Sequence, residues 1–129
     1  MTDNPEMDEQ IFTDPRPDIV VSHRPWGSFE QFVLNQEVTV KILTVHSGER
    51  LSLQTHSARG EMWKILDVPL DVTAGERTWT AEAGEAVWIA CGIEHRIANH
   101  GRTAGRVLEV AFGKFDEHDI VRIDDVYGR

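Results

Sequence analysis

Gly48-Glu49-Arg50-Leu51-Ser52-Leu53-Gln54-Thr55-His56-Ser57-Ala58-Arg59-Gly60-Glu61-Met62-Trp63 is the stretch on which the fold turns. It opens as a strand, with Leu51 and Leu53 on one side and Ser52 and Gln54 on the other. It breaks into a polar loop and resumes as an apolar strand at Met62. Across the break stand Gln54, His56 and Glu61, each able to offer a lone pair to a metal ion. Residues i and i+2 of a strand share a face, so Gln54 and His56 point together into whatever that face encloses. His95, which follows a Cys91-Gly92 turn and opens another strand, is the candidate fourth ligand.

Working outward, short runs rich in Val, Ile, Thr and Phe recur along the chain. They cover Glu30–Leu34, Val38–Val45, Leu51–Thr55, Trp63–Leu66, Leu70–Thr73, Arg77–Ala81, Ala86–Ile89, His95–Ala98 and Arg106–Phe112. Turn signals separate them: His46-Ser47-Gly48-Glu49, Thr73-Ala74-Gly75-Glu76, Ala83-Gly84-Glu85 and Asn99-His100-Gly101. Strands at roughly 8–12-residue spacing, without amphipathic helical windows, predict an all-β sandwich or barrel. The charged tail predicts one turn of helix near Asp116–Ile120 and then an edge strand. Arg24-Pro25-Trp26-Gly27 reads as a turn whose aromatics cover one end of the core.

The chain of 129 residues suffices for one well-buried core. Residues 1–18 hold three prolines and six acids (Asp3, Glu6, Asp8, Glu9, Asp14, Asp18) and read as a flexible arm; residues 19–129 form the domain. Net charge is −9, from 22 acidic and 13 basic residues, which argues against a nucleic-acid partner. No apolar run approaches the roughly 20 residues of a membrane helix, so no membrane partner is expected. The first residues lack the basic start and apolar stretch of a signal peptide, and the single Cys91 excludes an internal disulfide and a cysteine metal cluster. A cytoplasmic protein is expected.

Of the six histidines, His56 and His95 stand out by their setting. Two imidazoles, a carboxylate and an amide oxygen make a mixed N/O set suited to a divalent ion, Zn²⁺ first, with Co²⁺, Mn²⁺, Ni²⁺ or Fe²⁺ as alternatives.

Two motifs carry a family resemblance. Gly48, five residues, Gln54, one residue, His56, four residues and Glu61 resembles the first signature of the cupin superfamily, with Gln54 where many members have His. Gly84, five residues, Ala90, Cys91, Gly92, two residues, His95, three residues and Asn99 resembles the second. The resemblance implies a single-domain, double-sheet jelly-roll β-barrel. Arg24-Pro25-Trp26-Gly27, Arg50-Leu51-Ser52-Leu53-Gln54, Arg59-x-Glu61-x-Trp63, His95-Arg96 and the ending from Asp119 to Arg129 narrow it. Together they resemble the type II mannose-6-phosphate isomerase domain, here read as standing alone, without the guanylyltransferase domain that usually precedes it. That resemblance implies Gln54, His56, Glu61 and His95 as metal ligands. It places Arg59, Glu109, Arg122 and Arg129 at polar positions used around substrate, and Lys41 at a basic position able to face the cavity. Ser57, Ala58 and Met62 depart from it, standing where the family usually has histidine.

The implied activity is a metal-dependent isomerisation of mannose 6-phosphate and fructose 6-phosphate through an enediol. In it Glu109 or Lys41 would be the base and arginines the phosphate anchors. The alternatives are the same metal site acting on another sugar or nucleotide sugar, a non-catalytic small-molecule-binding cupin, or an Fe²⁺ dioxygenase. Long edge strands further suggest a homodimer.

Overall fold

A computed structural model describes residues 12–128. After a short 3₁₀ turn at Arg16–Asp18, the chain forms eleven strands. These are β1 (Val20–Arg24), β2 (Gly27–Gln31), β3 (Val38–Val45), β4 (Leu53–Thr55), β5 (Arg59–Ile65), β6 (Leu70–Ala74), β7 (Arg77–Ala81), β8 (Ala86–Ile89), β9 (His95–Ala98), β10 (Gly105–Gly113) and β11 (Val121–Asp124). β1 and β2 make a separate hairpin. The others form a four-stranded sheet in the order β3-β10-β5-β8 and a five-stranded sheet in the order β11-β4-β9-β6-β7. All pairings are antiparallel. This is the all-β architecture expected from the strand spacing, in the double-sheet form that the cupin resemblance implied.

Alternation along the strands puts the core between the two sheets. On β10, Val107, Glu109 and Ala111 share one face, and Leu108, Val110 and Phe112 share the other. Val107 pairs with Ile65 and Leu43, while Val72 and Ile97 answer from the second sheet. These residues, with Val45, Trp63, Leu70, Val87 and Ile89, form the main core. Met62, Val110 and Phe112 face the other way and are covered by Phe12, Ile19, Phe32 and Val33. The strand β5 is therefore covered on both faces, and six of its seven residues are buried.

Several expected bounds shift. β5 begins at Arg59, not Trp63, because Arg59 and Glu61 enter the interior as a pair. β4 is confined to Leu53–Thr55, and β2 lies earlier than Glu30–Leu34. β1 had no expectation attached to it. The expected helical turn near Asp116–Ile120 is a hydrogen-bonded turn only, with Asp119 N–H donating to Asp116 O at 3.0 Å. The strand after it lies at the sheet edge, as expected. Trp26 is 73% exposed at the tip of the β1–β2 hairpin, so it covers no part of the core. A Cβ on Gly60 would lie 2.5 Å from Trp88 Cη2, so glycine alone lets β8 close over β5 here.

Candidate metal centre

The three strongest ligand candidates come from three separate strands or the residue just beyond one. Glu61 projects from β5 into the space between the sheets, on the face that also carries Trp63. His95 opens β9 opposite Gln54 of β4. His56 follows β4 directly. The turn before β9 holds Gly92 at a φ of 81°, a left-handed conformation that favours glycine. Gly92 N–H donates to His56 O at 2.8 Å, tying the two histidine-bearing segments together.

His56, Glu61 and His95 are all buried, and one ligand atom of each lies within 4.8 Å of the others. His56 Nε2 is 3.4 Å from Glu61 Oε2, and His95 Nε2 is 3.7 Å from Glu61 Oε1. The imidazole centroids are 4.8 Å apart. Each ring donates its Nδ1–H to a backbone carbonyl, His56 to Asp119 O at 2.7 Å and His95 to Ile93 O at 2.8 Å. That arrangement puts the lone pair of each ring on Nε2, the atom a metal would bind. His95 Nε2 is buried and has no hydrogen-bond partner. A buried acceptor left unpaired costs roughly 1–3 kcal/mol, and a metal ion would remove that cost. Burial lowers the pKa of both histidines against the pull of Glu61, so both are held neutral, the form that ligates. Burial alone would raise Glu61, but His95, the Arg59 hydrogen bond and His56 hold it below its usual value. The residues therefore fit a divalent ion bound by nitrogen and oxygen.

Gln54 is half-buried, with its Oε1 3.4 Å from the Ser52 hydroxyl that donates to it. It lines the same cavity as His56 and Glu61, a space of about 180 Å³. Glu109 lines that cavity too. It lies opposite Lys41 on β3 and Trp63 on β5, and accepts a 3.4 Å hydrogen bond from Trp63 Nε1. Burial, then the neighbouring Glu61 carboxylate, raise its pKa to about 7, against the opposing pull of Lys41 and the Trp63 bond.

Lys41, Arg59 and Arg122 bring three cations to the cavity. They are not equivalent. Arg59 is 6% exposed and its donors are engaged: Nε with Glu61 Oε2 at 2.9 Å, Nη1 with Asp116 O at 3.2 Å, and Nη2 with His56 Nε2 at 3.1 Å. A metal taking the His56 lone pair would displace the last of these. Lys41 and Arg122 are exposed at the cavity mouth. Arg129 lies outside the described residues. Ser57 and Ala58 turn their N–H groups to the Asp119 carboxylate, and Met62 points away from the cavity into the outer apolar cluster.

Sequence reasoning missed three contributors that reach the site from the segment between β10 and β11. The Phe115 ring packs against two cations, its centroid 4.0 Å from Lys41 Nζ and 4.1 Å from Arg59 Cζ. Glu117 lines the cavity, and Asp119 holds His56. A larger cleft of about 750 Å³, lined by Ile42, Val45 and Tyr127 among others, contains none of the metal-ligand candidates.

Comparison with known proteins agrees with this architecture. Residues 18–125 match the family model described as mannose-6-phosphate isomerase C-terminal. The chain is 37% identical over 108 residues to the xanthan biosynthesis protein XanB of Xanthomonas campestris pv. campestris, covering 83% of this chain and 23% of that protein. It is 37% identical over 108 residues to the alginate biosynthesis protein AlgA of Pseudomonas aeruginosa, covering 83% of this chain and 22% of that one. A mannose-1-phosphate guanylyltransferase of Klebsiella pneumoniae is 36% identical, again with 83% of this chain covered and 23% of the relative. The chain thus spans about a quarter of the length of these relatives. Among solved structures, the capsular polysaccharide assembling protein CapF of Staphylococcus aureus superposes with a TM-score of 0.63 at 17% identity, covering 82% of this chain and 34% of CapF. A Klebsiella pneumoniae protein with a double-stranded β-helix domain superposes with a TM-score of 0.60 at 14% identity, covering 90% and 92% of the two chains. With the match over residues 18–125 and the double-sheet fold both in place, this chain belongs to the mannose-6-phosphate isomerase C-terminal family of cupins.

Proposed function

We propose that this chain is a metal-dependent sugar-phosphate isomerase, interconverting mannose 6-phosphate and fructose 6-phosphate through an enediol. One observation carries the reading. The cavity lined by His56 and Glu61, with buried His95 directly behind Glu61, also holds a carboxyl with a pKa near 7 and cations at its mouth.

His56, Glu61, His95 and Gln54 would hold the ion. A divalent ion there would polarise the oxygens on C1 and C2. Aldose–ketose isomerisation also needs a base that takes a proton from one carbon and returns it to the next. Glu109 is matched to that task, because near pH 7 it is populated in both protonation states. Its Trp63 bond and its place between Lys41 and Trp63 hold the carboxyl toward the cavity. Lys41 and Arg122, the cations still open to solvent, are suited to the phosphate, Arg122 through its planar fork. Arg59 is better suited to holding Glu61 in place, since its donors are already engaged. Arg129 is the remaining candidate for the substrate side.

A second reading keeps the metal and changes the substrate to another sugar or nucleotide sugar. It is favoured by the loop at Ser57 and Ala58, where both N–H groups are bound to Asp119 and neither side chain offers an acid or base. Incubation with mannose 6-phosphate in deuterated water separates the two. Fructose 6-phosphate, with deuterium appearing at C2 of the recovered aldose, supports the first; neither product nor exchange from metal-loaded protein rejects it.

The same proposal places the chain in the cytoplasm as a homodimer. The single cysteine fits a reducing compartment, and no helix among the described residues is long and apolar enough to cross a membrane. β3, an edge strand with Val40 and Ile42 exposed, is the surface for a second copy, and sedimentation at micromolar concentration tests it.

A further inference from the structure

The geometry points to Asp119 as a positioning residue for His56, acting on the metal centre without touching it. Asp119 lies 63 positions from His56, at the end of the segment that joins β10 to β11. Its carboxylate clamps the loop between β4 and β5. Oδ1 accepts from Ser57 N–H at 2.9 Å and from the Ser57 hydroxyl at 2.7 Å, and Oδ2 accepts from Ala58 N–H at 2.9 Å. Its backbone carbonyl accepts the His56 Nδ1–H at 2.7 Å. One residue therefore fixes the backbone on the far side of His56 and, through a separate atom, the rotation and tautomer of the ring.

The two functions are linked by rigidity. The carbonyl can direct the imidazole only while the residue bearing it stays in register with the 56–58 loop, and the three carboxylate bonds enforce that register. The clamp is itself tied to Asp116, whose carbonyl accepts both from Asp119 N–H at 3.0 Å and from Arg59 Nη1 at 3.2 Å. Without the carboxylate, His56 would lose that register and keep only the Arg59 Nη2 contact on Nε2, which a metal must displace, so the lone pair would be held less firmly toward Glu61 and His95. Removing such an outer partner of a ligating histidine typically weakens metal binding about 10- to 100-fold.

This inference rests on the metal reading above, so the test uses two readouts that fail separately. Zn²⁺ or Co²⁺ affinity is measured by competition with a chromophoric chelator for the wild type, Asp119→Asn, Asp119→Ala and Ser57→Ala. Histidine ¹⁵N–¹H spectra of the metal-free proteins report the tautomer of His56. The wild type is expected to show one tautomer, with the proton on Nδ1. Asp119→Asn and Asp119→Ala are expected to lose about 10- to 100-fold in affinity and to shift or broaden the His56 Nδ1–H signal, with Arg59 Nη2 still donating to Nε2, and Ser57→Ala to show a smaller loss. Asp71→Ala, which breaks a surface pair with Thr80 and His100, is the control for stability loss elsewhere and should leave both readouts unchanged. If Asp119→Ala does not fold, Asp119→Asn and Ser57→Ala still grade the effect. Folded Asp119 variants with wild-type affinity and an unchanged His56 Nδ1–H signal would overturn the proposal, whatever their melting temperature. A wild type that binds neither ion rejects the metal reading instead, and the tautomer spectra alone then decide the role of Asp119.

Discussion

Glu109 and Lys41 face each other in register across β10 and β3, with Trp63 facing Glu109 from β5 on the other side. Directly opposed residues of antiparallel strands project from the same face, so the acid and the amine enter the cavity together.

Glu109→Gln tests the acid. In the metal-free protein, the folded-state pKa of Glu109 is raised from 4.5 to about 7. A carboxyl raised in this way contributes its full stability below pH 4.5, and that contribution is lost as pH rises through about 7. The glutamine variant cannot ionise. Its stability relative to wild type should therefore increase between pH 4.5 and 7 and level off above, by on the order of 3 kcal/mol at most. Urea denaturation of chelator-treated protein at pH 5 and pH 8 measures it. On the proposed isomerase reading, the metal-loaded variant should lose about 10²- to 10⁴-fold in kcat.

The candidate pair Gln54 and His56 stood out in the sequence because it obeys the two-residue period of a strand, and His95 because it follows a glycine turn. Arg59 was harder to place. Charged residues at the start of β5 read as loop, yet Arg59 and Glu61 are buried there as a hydrogen-bonded pair. A strand covered on both faces loses its alternation, so β5 showed its true length only once its neighbours β10 and β8 were in place. Phe115, Glu117 and Asp119 left no local signal, since they reach the site across the fold from the segment before β11. The β1–β2 hairpin was mislaid for a related reason: with Val20, Val21, Trp26 and Phe29 exposed, it has no buried face to impose a pattern.

Arg122→Ala tests the proposed phosphate anchor. Arg122 sits on the edge strand β11 opposite Gln54, outside the buried cluster. Metal content should stay at the wild-type level while KM for the sugar phosphate rises about 10- to 100-fold, as expected for a lost charge-assisted contact. Initial-rate kinetics with parallel metal analysis gives both numbers.

Gly60→Ala tests the close approach of β8 to β5. The added methyl would meet Trp88 Cη2 at 2.5 Å and Cζ2 at 2.9 Å, and that ring already packs edge-on against Phe112. Overpacking of this kind costs about 1–3 kcal/mol. A lowered urea midpoint, with a shift in tryptophan emission, is the expected outcome.

The central claim is that the buried His56, Glu61 and His95 hold a divalent ion. Its most direct measurement is the metal content of protein purified without a metal-affinity tag and then titrated with Zn²⁺, Co²⁺ or Mn²⁺. The account predicts about one equivalent per chain in the wild type and none retained by His56→Ala or His95→Ala, because each variant removes one of two imidazole ligands. A wild type that takes up no stoichiometric metal, or a His95→Ala variant at full occupancy, would contradict it.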